Sequence, residues 1–512
     1  MVSNIKQTKK VDSQYDVIFV GAGLGSLSAA SMIAQKGKKV LVVDKHNIPG
    51  GYATNFSRKD FDFDVSLHSF DGVVKGGDSY KVIELTGVAD KVEFLSHKTL
   101  YHFQQGDIDI KAKHRDIEDY KNQLFHYFPE EKDNIIRLFK EADKNYKDMC
   151  GFLFAKLPFW LRFLATPFFF KRILKYENDT VDSFFSRFTQ NERLKAVLSA
   201  QWSYYGLPAK DLAFGYFSYP FIDYLRNGGY SIKGGSQKLS DALVEVIESN
   251  GGTVLLSSPV TDIIVNEKGR VEGIESKRSG VVSADKVVCN ISPHAVVSLV
   301  GKDKFKPRFH TKLEAQKMSI SGFQVYLGLD CNLADLGVKE DEYIRFFAPM
   351  LSQREQFECL QKGEVFDGKT GWSINYFSNV DDTLCAPGKS SLGLFTLIGS
   401  IDWHSLSKME YREKKQQLTQ MLIDKAAEQI PNLKDHIVVC EAGSPRTMTK
   451  FTNNPGGSIY GFEQNLKQSG LFRRFPQKYP IKGLYQVGAY TFPGAGFIGT
   501  MLSGKTLVDR YF

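Results

Sequence analysis

The chain is 512 residues long and poor in cysteine, and its six, Cys150, Cys289, Cys331, Cys359, Cys385 and Cys440, stand in no CxxC or other ligand spacing. Reduced structural thiols in a cytoplasmic protein are therefore expected, with no disulfide framework and no metal site. The first residues, MVSNIKQTKKVDSQ, lack the apolar stretch of a signal peptide, so a short polar arm and no secretion are expected. No uninterrupted apolar run reaches the roughly twenty residues a spanning helix needs. Repeats, low-complexity segments, a P-loop and a Ser-His-Asp order are also missing. The net charge of +8 is modest, and no zinc finger or RNP stretch accompanies it. A basic face for an anionic membrane suits this charge better than nucleic acid does. The length exceeds one simple core and predicts two or three domains.

What the chain does contain is concentrated first between Tyr15 and Gly51, YDVIFVGAGLGSLSAASMIAQKGKKVLVVDKHNIPGG. Val17 to Val20 read as a buried parallel strand, followed at once by Gly21, Ala22, Gly23 and Gly25. A helix is predicted from Leu24 towards Gln35, ended by Gly37, and Lys39 to Val43 form a second strand closing on Asp44. This is a complete dinucleotide-binding βαβ unit. Gly21 serves the tight turn, Gly23 the approach of a pyrophosphate, and the helix start offers free N–H groups. Asp44 is placed to accept hydrogen bonds from a ribose hydroxyl. Ser26 stands at the third glycine position, where a small side chain suffices for helix-to-strand packing.

The residues after Asp44 and Lys45, namely Pro49, Gly50 and Gly51, resemble those of FAD-dependent oxidoreductases of the amine oxidase and phytoene desaturase superfamily. FSRKDFDFDVSLHSFDG, up to Gly72, is similar to the matching stretch of carotenoid desaturases, carotenoid isomerases and retinol saturases. Tyr52 replaces the arginine that amine oxidases usually carry, and with His68 this looks more like the saturase and isomerase branch. LYQVGAY at Leu484 to Tyr490 and TFPGAGFIGTMLSGKTLVDRY resemble the closing flavin-contact motif. Gly494 to Gly499 spell a second GxGxxG, but no room remains before Phe512 for another nucleotide unit. A helix starting near Phe497 is expected instead, aimed at the flavin. The resemblance implies FAD contacts at Gly488, Gly496 and Ile498, at Val260 beside the adenine, and at Asn290. Ala489 stands where many relatives have an acidic residue. YSIKGGSQ, Tyr230 to Gln237, matches a Gly-Gly turn before a helix over 238–248 and a strand over 253–256.

Gly151 to Tyr176, GFLFAKLPFWLRFLATPFFFKRILKY, mixes Phe and Trp with Lys156, Arg162, Lys171, Arg172 and Lys175. Pro158, Arg162 and Pro167 argue against a span. Aromatic anchors with a basic rim suit an interfacial segment on a peripheral membrane protein. A buried helical hairpin is the alternative.

The fold expected is α/β, a discontinuous Rossmann-type FAD domain from about 1–72, 230–310 and 440–512, with an α+β substrate domain from 73–229 and 311–439. Phe323, Val325 and Leu327 alternate as in a half-buried strand, and a helix is predicted over 412–429. The resemblance implies a redox enzyme acting on carbon-carbon double bonds of a carotenoid, retinoid or other polyene, as saturase, isomerase or desaturase. His68 is the leading catalytic candidate, as a proton donor or a group stabilising a polyene cation. Asp62 and Asp64 read as turn or backbone-bonding residues. With a single fingerprint, electrons are expected to come from or go to something diffusible, such as a quinone or oxygen, or to cycle back to the same substrate as an isomerase requires. Two rivals stand beside this reading: a lipid carrier on the scaffold of GDP dissociation inhibitors, and a flavin amine oxidase.

Overall fold

The computed structural model describes residues 11–365, 368–399 and 403–512; most of the expected polar arm, residues 1–10, lies outside the described residues. The apolar runs Val17–Val20 and Val40–Val43 become the central strands of a five-stranded parallel sheet, every residue in both runs buried. Across the sheet the strands run Thr253–Leu255, Val40–Val43, Val17–Val20, Val287–Cys289 and Leu484–Gln486. Strands brought from four distant parts of the chain thus pair in register, Ile18 opposite Leu41 and Val287. Sheets of this kind are covered on both faces, which is why their strands read as continuous apolar runs.

Helix Leu24–Ala34 is buried along its whole length. It packs against helices Gln237–Ser249 and Phe497–Tyr511. The second crossing is tight: a Cβ on Gly504 would stand 2.8 Å from the Gly25 carbonyl oxygen. An antiparallel sheet of Val260–Val265, Val271–Ser276 and Gly280–Ala284 lies beside this domain, extended by Gln14–Tyr15.

A seven-stranded sheet forms the second half of the molecule, in the order Ile437–Gly443, Ser321–Leu329, Ser390–Ile398, Trp372–Asn375, Ile344–Phe347, Thr99–Gln105 and Ile108–Lys113. Two sequence expectations change here. Ser321–Leu329 is buried on both faces, not half-buried: Phe61 and Phe395 stand over Gly328 and Gly322 on one face, and the Phe323 ring meets Trp403 on the other. Ile437–Gly443 pairs with Ser321–Leu329, so a boundary drawn at 440 cuts through a strand of this sheet. The helix predicted over 412–429 starts earlier, at Lys408, where Ser407 and Glu410 form a capping box.

The aromatic run of Gly151 to Tyr176 folds as the end of helix Lys132–Phe154 followed by helices Phe159–Phe169 and Lys171–Lys175. Its side chains divide. Phe152 is fully buried and touches Phe159, Phe163 and Phe170 edge-on. Trp160, Leu164, Phe168 and Phe169 are 63–78% exposed. Arg162, expected in the basic rim, turns inward instead: it is 5% exposed, donates to the Leu153 and Leu157 carbonyls and pairs with Asp509 at 2.9 Å. Carbonyls left free where the preceding helix ends give it partners that the sequence pattern hides. Among the described residues, no helix is long and apolar enough to cross a membrane.

Candidate active site

A cavity of about 1030 Å³ begins at the loop after the first strand of the parallel sheet. Gly21, with φ +96°, makes the turn and hydrogen-bonds the Val43 carbonyl at 2.8 Å. Asp44 ends the second strand, and its carboxylate accepts the N–H of Ala22 at 2.6 Å and of His46 at 2.7 Å. It therefore ties the glycine loop to the strand end while lining the cavity. Gly50 binds back to Ala22 through its N–H at 2.7 Å and bridges to Gly23. At φ +117° it leaves no room for a side chain, since a Cβ would lie 2.1 Å from the Ala53 oxygen. Gly50 and Gly51 thus pass directly beside the fingerprint loop.

Of the other expected cofactor residues, Gly23, Gly25, Lys45, Val260, Asn290, Gly496 and Ile498 line the cavity. The Asn290 amide presses on Gly23 and Gly488; a Cβ on Gly488 would come within 2.0 Å of it. Gly488 sits behind the wall, which Ala489 lines in its place. Ala22 and Ser26 do not line it either. Ser26 is buried in helix packing, and its hydroxyl has no hydrogen-bond partner among the described residues. Lys45 donates to the Lys450 carbonyl and to Asn453 Oδ1 at 2.6 Å. Two helices start at the wall, Leu24–Ala34 and Phe497–Tyr511, each capped by glycine without a side-chain bond. Their first-turn N–H groups offer two positive ends.

The cavity continues into a chamber of aromatic rings. His68 stands in its wall, Nε2 3.3 Å from Gln324 Oε1, its ring 5.2 Å from Phe395 and 5.7 Å from Tyr204. Burial holds its pKa down to about 4, only partly offset by Gln324, so the imidazole is neutral near pH 7. A neutral ring does not serve as the donor half of the expected role; it suits a cation-stabilising contact. Asp64 takes the structural part expected of it, accepting the N–H of Leu67, Ser66 and Ser236.

The sequence reading missed two cavity residues. Asp71, on the short strand Phe70–Asp71 opposite Gly229, faces the chamber beside Tyr204, Tyr205, Tyr216 and Tyr224. Burial, with the nearby Asp223 carboxyl, pushes its pKa up to about 7. Asp223 is fully buried and held by Ser79, Tyr146 and Asn227. The Tyr204 hydroxyl is buried without a partner among the described residues. Arg474 is the second, a guanidinium over the ring of Tyr216. Asp71 closes the family-like stretch that ends at Gly72 but was not singled out in it, Arg474 lies in no motif, and only the fold brings both to one wall.

The chain matches the family described as flavin containing amine oxidoreductase over residues 27–510. It belongs to that family. Among curated relatives, it is 25% identical to an all-trans-retinol 13,14-reductase of Danio rerio, over 98% of this chain and 87% of the relative. It is also 25% identical to prolycopene isomerase 1, chloroplastic, of an Oncidium hybrid cultivar, over 97% and 84%. A solved putrescine oxidase bound to putrescine shares the fold with a TM-score of 0.62, at 15% identity, covering 97% of this chain and 98% of that one.

FAD is the cofactor of this family member. The residues present fit it: glycines that leave the loop open, two uncapped helix starts for negative charge, and Asp44 at the strand end. Elsewhere, Asp330, Cys331 and His436 bring ligand atoms within 4.8 Å of one another, with His436 Nδ1 2.9 Å from Asp330. Cysteine spacing could not reveal this grouping, because His436 comes from a distant segment.

Proposed function

We propose that this FAD-dependent oxidoreductase acts on carbon-carbon double bonds of a polyene or isoprenoid lipid taken from a membrane surface. The observation that carries the reading is the continuity of one cavity from the dinucleotide loop, through the His68 and Asp71 chamber, to Phe152 and Leu471 beneath the exposed aromatic helix. The names of the curated relatives, a retinol reductase and a prolycopene isomerase, point the same way.

FAD supplies hydride exchange with carbon when bound. The protein's own residues do the rest. The aromatic walls exclude water and hold an extended apolar chain. Asp71 holds a proton on its carboxyl near neutral pH and exchanges it with a polyene carbon, the step that saturation and cation-mediated isomerisation share. Desaturation runs the same exchange backwards, with Asp71 as base. His68, neutral and fixed by Gln324, stabilises positive charge on the polyene. Desaturation passes the electrons on to a quinone or oxygen, saturation draws them from a reductant such as a quinol, and isomerisation returns them to the substrate. An amine substrate fits poorly, because Arg474 places positive charge in the same cavity. A flavin-free carrier leaves the glycine loop and Asp44 without a task.

Turnover tests the reading. Holoprotein chemically reduced under anaerobic conditions is incubated with all-trans-retinol or a cis-carotene in vesicles, and the extracts are separated by chromatography. Saturated or isomerised product is expected; no change in either lipid, with the oxidised holoprotein in air turning over putrescine instead, refutes it.

Peripheral membrane binding is part of the proposal. Trp160, Leu164, Phe168, Phe169 and Phe472 form an exposed apolar surface, with Lys156 and Lys171 exposed along the same segment. Such a composition inserts into the headgroup boundary. The combined substitution Trp160→Ser, Phe168→Ser and Phe169→Ser is expected to weaken binding to anionic vesicles at least ~30-fold, from the apolar area lost. Co-sedimentation measures it, and unchanged binding removes the membrane role from this helix.

A further inference from the structure

The cavity wall holds a buried cation that neither the flavin half nor the polyene chamber requires. Arg474 is 9% exposed and lines the cavity. Its guanidinium lies 5.0 Å from the centre of the Tyr216 ring, in space left by Gly494, whose Cβ would meet Nη1 at 2.7 Å. Nη2 donates to Ser469 Oγ at 3.1 Å. That bond uses one of five N–H donors. The Tyr216 hydroxyl turns elsewhere, donating to the Ala495 carbonyl. The nearby acid, Glu177, accepts the Leu471 N–H at 3.0 Å and lies 3.5 Å from Arg473. No ion pair among the described residues involves Arg474 itself. Burial lowers its pKa to about 10, so it stays charged at neutral pH. Glu177, already engaged by the Leu471 N–H and Arg473, is the carboxylate within electrostatic reach of it, and a buried charge compensated only at that distance is costly and calls for an anion in direct contact.

We propose that Arg474 anchors a carboxylate at one end of the lipid, so that the enzyme prefers an apolar polyene with an acidic terminus to a pure hydrocarbon. This rests on the polyene reading above and narrows it. One planar guanidinium suits a single carboxylate, which it binds through two parallel N–H bonds. A diphosphate carries more charge than this one cation balances. The segment that brings Arg474 to the wall also carries Leu471 in the cavity and Phe472 at 60% exposure, in contact with Phe163 of the aromatic hairpin. An amphipathic acid arriving along this segment passes from an apolar surface to the cation.

The test uses the FAD-loaded full chain, wild type and the variants Arg474→Gln and Arg474→Lys, titrated by tryptophan quenching with all-trans-retinoate, its methyl ester and palmitate. Wild type is expected to bind the acid about 10- to 100-fold more tightly than the ester. Arg474→Gln abolishes that preference with ester affinity and flavin content unchanged, and Arg474→Lys retains part of it. Palmitate binds more weakly than retinoate. Equal wild-type affinity for acid and ester overturns the anchor alone, as does loss of FAD from Arg474→Gln, which assigns the cation to the cofactor. Palmitate binding as tight as that of retinoate overturns the polyene acid in favour of a fatty acid. A protein that binds neither retinoid overturns the polyene reading itself.

Discussion

Asp44→Ala is expected to yield a folded protein that binds FAD about 100-fold more weakly than wild type, since a charged acceptor at a half-buried site contributes roughly 1.5–3 kcal/mol per hydrogen bond. The effect has two sources. The Asp44 carboxylate holds the N–H groups of Ala22 and His46, so its removal loosens the loop that begins at Gly21. It also deletes the acceptor that a ribose hydroxyl would meet at the end of the second strand. Flavin fluorescence titration gives the affinity, and far-UV circular dichroism checks the fold. Because the sheet is held by buried strands on both sides of Val40–Val43, the fold is expected to survive. Normal flavin content in this variant contradicts the assignment of the cavity's first section.

Asp71→Asn is expected to lower kcat by 100-fold or more while leaving bound FAD unchanged, in line with the loss of a general acid or base. The pH profile supplies the sharper test. With its pKa near 7, Asp71 is protonated below that value and ionised above it. Proton donation in saturation or isomerisation then falls as pH rises through about 7, and Asp71→Asn loses this limb. His68, with its pKa near 4, adds no limb in the neutral range. Stability follows the same group. Its folded pKa lies above the ordinary 3.8, so stability present below about pH 4 is lost progressively up to about pH 7, by a few kcal/mol. Asp71→Asn is therefore expected to unfold at a higher temperature than wild type at pH 8 and to differ less at pH 4. A variant with unchanged kcat and an unchanged profile removes Asp71 from the chemistry.

The parts of the site legible in the sequence are those the backbone dictates. Gly21, Gly50 and Gly488 carry conformations or contacts that exclude a side chain, and such demands leave a pattern in the chain itself. The strand over 17–20, a continuous apolar run, and the helix from Leu24, a stretch of small and apolar residues, were legible through the glycines between them. Asp71 was not. An aspartate followed by glycine reads as a turn, and nothing local reveals that Tyr204, Tyr216 and Tyr224 close around it. Arg474 sits in the basic stretch Arg473-Arg474 and resembles solvated charge until its neighbours are known. Arg162 misled in the same way: its partners are the carbonyls of an earlier helix end and Asp509 near the end of the chain. Burial on both faces of Ser321–Leu329 was equally hidden, because the covering rings, Phe61 on one face and Trp403 on the other, come from elsewhere in the chain.

The central claim is that one cavity joins a flavin site to a polyene site. An absorbance spectrum of the purified protein tests it most directly, taken before and after anaerobic addition of all-trans-retinol or a cis-carotene to the oxidised and chemically reduced forms, and followed by denaturation. The account predicts flavin bands that change on adding the lipid and FAD released intact on unfolding. A colourless protein that takes up no FAD, or a flavoprotein whose spectrum responds to putrescine and to no polyene, contradicts it.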